Sequence, residues 1–71
     1  MLLDHLAQAE RHVAEGELHV QQQRERVRRL QRDGHDTKQA RSLLERFEES
    51  LAMHWADRDR IRRELDKELD K

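Results

Sequence analysis

Leu6, Val13, Val20 and Val27 recur every seven residues, and Leu2, Ala9, Gly16, Gln23 and Leu30 recur every seven residues between them. Two interleaved series of this kind form the seam of a helix that packs lengthwise on another helix, and the two-residue period of a strand cannot produce them. Beyond residue 37 a second seam follows, in which Ala40, Leu44, Phe47, Leu51, His54, Arg58, Ile61 and Leu65 alternate steps of four and three. The predicted fold class is all-α.

The two seams are joined by Arg32-Asp33-Gly34-His35-Asp36-Thr37. Gly34 suits the left-handed position just past a helix C-terminus, where a Cβ is strained. Asp36 offers an acceptor to the free N–H groups of the next turn, and Gln39, three residues on, completes a capping box. Proline is absent and Gly16 is the only other glycine, so no other strong breaker interrupts either pattern. The spacing therefore predicts one antiparallel helical hairpin over residues 1–71, with helix one over about 3–33, a turn at 33–36 and helix two over about 37–69.

With 34% apolar and 44% charged residues, this composition would mean disorder if the apolar residues were scattered. Gathered into stripes, they mean amphipathic helices. Two helices of roughly 30 residues, about 45 Å long, cover only part of each other's stripe when they lie side by side. Dimerisation into a four-helix bundle covers the rest, so a homodimer is expected. The core expected from helix one is Leu6, Val13, Gly16, Val20, Val27 and Leu30, facing Leu44, Phe47, Leu51, Trp55, Ile61 and Leu65 from helix two. With a turn at 33–36, Gly16 falls opposite His54 and Trp55. A glycine inside a helix costs about 1 kcal/mol relative to alanine, and the compensation expected here is room for Trp55 or for a close helix crossing.

Gln23, His54 and Arg58 occupy seam positions where an apolar side chain would stabilise more. Buried polar groups at such positions set register and oligomeric state at a cost in stability. Protonation of His54 inside a packed interface is expected to loosen a dimer at acid pH. Glu25 with Arg29, Asp59 with Arg63, Arg11 with Glu15 and Arg60 with Glu64 have the spacing of surface pairs on one helix.

His5, His12 and His19 also recur every seven residues. Neighbours in that row sit about 10 Å apart along the axis, too far to share one ion, and the chain lacks the Glu-x-x-His pairs of di-iron bundles. Solvated, salt-bridged histidines are expected, with no metal and no cofactor. Ser42 and Ser50 are the only serines, and neither has an evident base and orienting acid, so an enzyme is not expected.

The net charge is −1, unevenly spread: residues 1–20 carry −3, residues 21–41 carry +4, residues 42–56 carry −2, and residues 57–71 balance. The basic part is the hairpin tip, with Arg24, Arg26, Arg28, Arg29 and Arg32 before the turn and Lys38 and Arg41 after it. Such a cluster has the electrostatic footprint of a phosphate binder. No aromatic residue lies among the arginines for bases to stack on, and antiparallel pairing sets Glu45, Glu48 and Glu49 beside residues 21–26. The first functional reading is a protein–protein interaction module, acting as a self-associating hairpin in the manner of a small adaptor, regulator or scaffold. The second is RNA or DNA binding through the arginine-rich tip. Cysteine is absent, no apolar run reaches the length of a membrane span, and Met1-Leu2-Leu3-Asp4-His5 lacks the basic region and apolar core of a signal peptide. A cytoplasmic protein with no membrane contact is expected.

The segment from His5 to Glu17, the tip Arg32-Asp33-Gly34-His35-Asp36-Thr37 and the run Ala56-Asp57-Arg58-Asp59-Arg60 resemble a family of small, uncharacterised helical proteins of alphaproteobacteria, over roughly residues 4–65. That resemblance implies a bacterial, cytosolic origin. The family has no assigned activity, so it lends no functional residues to this chain.

Overall fold

In the computed structural model, which describes residues 1–70, helix α1 runs over Leu2–Arg32 and helix α2 over Lys38–Leu69. The helices lie antiparallel along their whole length as a rod of 59 × 14 × 14 Å, and no strand occurs among the described residues. No helix among them is long and apolar enough to cross a membrane.

The turn ends α1 as its glycine requires. Gly34 has φ +79°, its N–H donates to the Gln31 carbonyl at 3.2 Å, and the His35 N–H donates to the Leu30 carbonyl at 2.8 Å. These two bonds make a Schellman motif and satisfy carbonyls that the helix end leaves free. The start of α2 differs from the expected capping box. Asp36 Oδ1 accepts from the Lys38 N–H at 3.0 Å, and the N-cap position falls to Thr37, whose hydroxyl accepts from Arg41 Nε at 2.9 Å and caps no backbone N–H. Asp36 thus closes a local Asx turn one position too early to cap, and no bond from Gln39 returns to it.

The core is one narrow seam. Val13, Val20 and Leu51 form its centre, with Leu44 and Phe47 packed against them and half-buried. Ala9, Val27 and Ile61 extend the buried seam. Leu6, Leu30 and Leu65 are half-buried, as is Gly16. Buried Gln23 donates its side-chain amide to the Ala40 carbonyl at 2.9 Å, so its polar end is satisfied and ties α1 to the first turn of α2.

One expectation needs correction, and another is decided between its two alternatives. Trp55 is not a core anchor: it lies on the flank of the seam and is 42% exposed. The side chain that uses the space above Gly16 is Leu51, whose Cδ1 would sit 3.0 Å from a Cβ added there, with His54 Cδ2 at 3.7 Å. The glycine lets the two helices approach at Leu51, and Trp55 plays no part in it.

Candidate functional site

The seam has two long sides, and each is flanked by one row of residues from each helix. On one side Glu10, Glu17, Arg24 and Gln31 of α1 meet Arg62, Trp55, Glu48 and Arg41 of α2. Arg62 Nη2 donates to Glu10 Oε1 at 2.9 Å and Trp55 Nε1 to Glu17 Oε1 at 3.4 Å. Arg24 Nη2 lies 3.9 Å from Glu48 Oε2, and Arg41 Nη2 donates to Gln31 Oε1 at 3.5 Å. Both rows step by seven, one upward and one downward, so each rung repeats the same antiparallel register. We call this the strapped face. The valines beneath it, Val13, Val20 and Val27, are all buried.

The opposite side is the histidine face. At its middle the rings of His12 and His54 lie 5.3 Å apart at 48°, and His19 lies 5.7 Å from Phe47. Ser50 Oγ is 3.5 Å from His54 Nε2, and Glu15 and Gly16 line the same shallow depression of about 100 Å³. Toward the open end a second depression is lined by His5, His12, Asp57, Arg60, Ile61 and Glu64. Toward the tip a third is lined by Gln23, Arg26, Leu30, Asp36, Ala40 and Leu43. Apart from the buried Gln23 bond within the seam, no side-chain hydrogen bond or ion pair joins the helices on this face among the described residues. Small residues at Ala9, Gly16 and Ala40 make the depressions, and Phe47 and His54 stand half-buried between them.

The histidines are therefore not salt-bridged as expected. His12 and His19 stack on rings of the other helix, because the antiparallel register sets them opposite seam residues of α2. No group of three or more metal-binding side chains converges among the described residues. The Ser50–His54 pair sits in the open with no carboxylate bonded to the ring, which leaves nothing to orient a base or exclude water.

Surface pairs also depart from the simple spacing. Glu25 pairs with Arg28 at 3.4 Å, not Arg29, and Asp59 with its neighbour Arg58 at 3.2 Å, not Arg63. Arg11 and Glu15 form no ion pair among the described residues. Arg60 does meet Glu64, at 3.6 Å, and also Asp57 at 2.6 Å, and the hydrogen bond to Asp57 holds the guanidinium pKa above its ordinary value. Half-buried Arg58 turns its head out of the seam to reach Asp59.

At the tip, Arg24, Arg28 and Arg32 each have a carboxylate within 4 Å, from Glu48, Glu25 and Asp33. Arg41 is engaged by Thr37 and Gln31. Arg26, Arg29 and Lys38 are exposed, and none has a carboxylate within that distance among the described residues. Glu45 and Glu49, expected beside the arginines, form no ion pair, leaving Glu48 as the acid that crosses. The strap rows and Arg46, the further exposed cation flanking Leu43, escaped the sequence reading. The matched seven-residue steps of 10, 17, 24, 31 and 41, 48, 55, 62 carried the signal for the straps. Comparison with family models, curated proteins and solved structures finds no match for this chain.

Proposed function

We propose that the hairpin is a non-enzymatic protein–protein interaction module that self-associates, two copies forming a four-helix bundle that serves as a small adaptor, regulator or scaffold. One observation carries this reading: the hairpin exposes 5920 Å², where a compact monomer of 8.7 kDa exposes about 4,700 Å². The excess follows from the rod shape. No side chain among the described residues is fully buried, and Leu44, Phe47 and Leu65 keep part of their apolar surface in water. Covering that surface against a second hairpin stabilises both copies by about 25 cal/mol for each Å² removed from water.

Light scattering and circular dichroism on the same micromolar samples test the reading. A helical dimer that persists on dilution is the expected result, and a fully helical monomer at every concentration refutes it. Repeating the measurement at pH 5 tests His54: a dimer whose mass does not change removes that residue from any acid-sensitive role.

The second reading, nucleic-acid binding at the tip, is favoured by the unpaired state of Arg26, Arg29 and Lys38. It requires RNA or DNA binding that falls steeply with salt and disappears when Arg26, Arg28 and Arg29 are neutralised. No binding at low salt excludes it.

A further inference from the structure

His5, His12 and His19 stand in one row on α1, too far apart along the axis for any two of them to share an ion. The hairpin supplies what the row lacks. Antiparallel packing sets His54 of α2 against His12, and the centroids of the two rings lie 5.3 Å apart. Two imidazoles bound to one ion at a tetrahedral angle, through bonds of about 2.0–2.1 Å, hold their centroids about 5 Å apart as well. The rings therefore have the spacing of a chelating pair.

Their surroundings leave both rings available. Neither has a carboxylate within 4 Å among the described residues, and the polar contact that His54 makes, from Nε2 to Ser50 Oγ, is long at 3.5 Å. The last torsion of a histidine is soft, so each ring can turn a nitrogen toward the other while the backbone keeps the centroids in place. That backbone is well fixed here: Leu51 packs into the space above Gly16, and His54 Cδ2 lies 3.7 Å from where a Cβ on that glycine would stand. Both rings are half-buried and line an open depression of about 100 Å³, which an ion reaches without any movement of the helices. Glu15 lines it too, with no cation within 4 Å among the described residues, and its charge favours a cation there.

We propose that His12 and His54 bind one late first-row divalent cation between the two helices, Cu²⁺ more tightly than Zn²⁺. Imidazole nitrogen suits these ions, whereas Mg²⁺ and Ca²⁺ take oxygen donors and are not ligands for this pair. No third protein donor is in place among the described residues, so water fills the remaining positions around the ion. The bound ion bridges α1 and α2 on the histidine face, where the straps of the other side have no counterpart. Because it needs one nitrogen from each helix, it binds the folded hairpin and stabilises it. The site lies within one hairpin and stands or falls independently of self-association.

Thermal melts of the full chain, followed by circular dichroism with CuCl₂, ZnCl₂ or MgCl₂ added, test the assignment. Cu²⁺ and Zn²⁺ should each raise the midpoint by about 5 °C or more, a shift that EDTA reverses, and Mg²⁺ should leave it unchanged. His12→Gln and His54→Gln should each abolish the shift, whereas His5→Gln and His35→Gln should keep it. A shift that survives either replacement within the pair, or is lost equally in His5→Gln or His35→Gln, puts the ion elsewhere and overturns the proposal. The unaltered chain gives a second readout that no folding defect of a variant disturbs. One equivalent of Zn²⁺ should move the imidazole nitrogen resonances of His12 and His54 together and leave those of His5 and His35 in place. A drift of all five histidines without saturation means adventitious binding only and overturns the site, as does a midpoint and spectrum that Cu²⁺ and Zn²⁺ leave unchanged. Light scattering should give the same mass with and without Zn²⁺. A mass that rises with the ion means that histidines of different copies are being bridged, which refutes a site within one hairpin.

Discussion

The two sides of the seam share the same helices and the same register, yet one is bridged and the other is open. On the strapped side, Glu, Arg, Gln and Trp side chains are long enough to reach across the groove and meet at their tips, and the valine layer below them is buried. On the histidine side the flanking imidazoles are short and rigid, and the layer that α1 supplies below them includes Ala9 and Gly16. Polar reach bridges the first side, although a depression of about 400 Å³ lined by Glu17, Val20, Arg24, Leu51 and Trp55 remains between the straps. The second has no such reach, and its Phe47 and His54 stay half-buried. The two sides thus differ in whether polar side chains of the two helices meet across the groove.

The largest expected effect breaks both sides at once. Leu51 is buried between them and fills the space that Gly16 provides, so Leu51→Ala should cost about 2–5 kcal/mol through lost burial and the cavity left behind. Thermal melts followed by circular dichroism should show the midpoint fall steeply or the cooperative transition vanish. A midpoint within a few degrees of the parent would mean that the seam is not what holds the hairpin.

Much of this architecture was legible in the residues. The seams could be read because burial on a helix imposes a period, and the C-terminal stop of α1 because Gly34 must take a positive φ. The start of α2 misled because an Asx turn and an N-cap use the same side chain and differ by one residue, so Asp36 fits both patterns. Trp55 misled by its size: its place beside the seam, in step with Glu48 and Arg62, was the better guide. The histidine row was visible, but its partners were not, since spacing along one helix says which residues share a row and not which row lies across from it. Which side stays open depends on whether long side chains meet at their tips, and that is decided by rotamers and register together.

A smaller effect probes Gly16. Gly16→Ala gains the helix preference of alanine, about 1 kcal/mol, and loses as much or more because its Cβ must push Leu51 Cδ1 from 3.0 Å inside a packed seam. The expected net change is a loss of under about 1 kcal/mol. A variant that melts higher with an unchanged mass would mean that close approach at Gly16 does not serve the seam.

The smallest effect belongs to the straps, and it decides what they are for. A double-mutant cycle on Glu10 and Arg62, each to alanine, should give a coupling of about 0.2–1 kcal/mol, because both side chains are about half exposed and the ion pair is hydrated and screened. The longer Arg24–Glu48 contact, at 3.9 Å, should couple less. In 1 M salt, where charges are screened over about 3 Å, both couplings should fall toward zero while the apolar seam holds. That outcome would make the straps a polar cover that keeps this side from sticking to other hairpins, with the stability residing beneath it in Val13, Val20 and Leu51. A coupling well above 1 kcal/mol that survives salt would instead make the straps a structural clasp. The two sides would then differ in how firmly each holds the helices together, as well as in which one is left open.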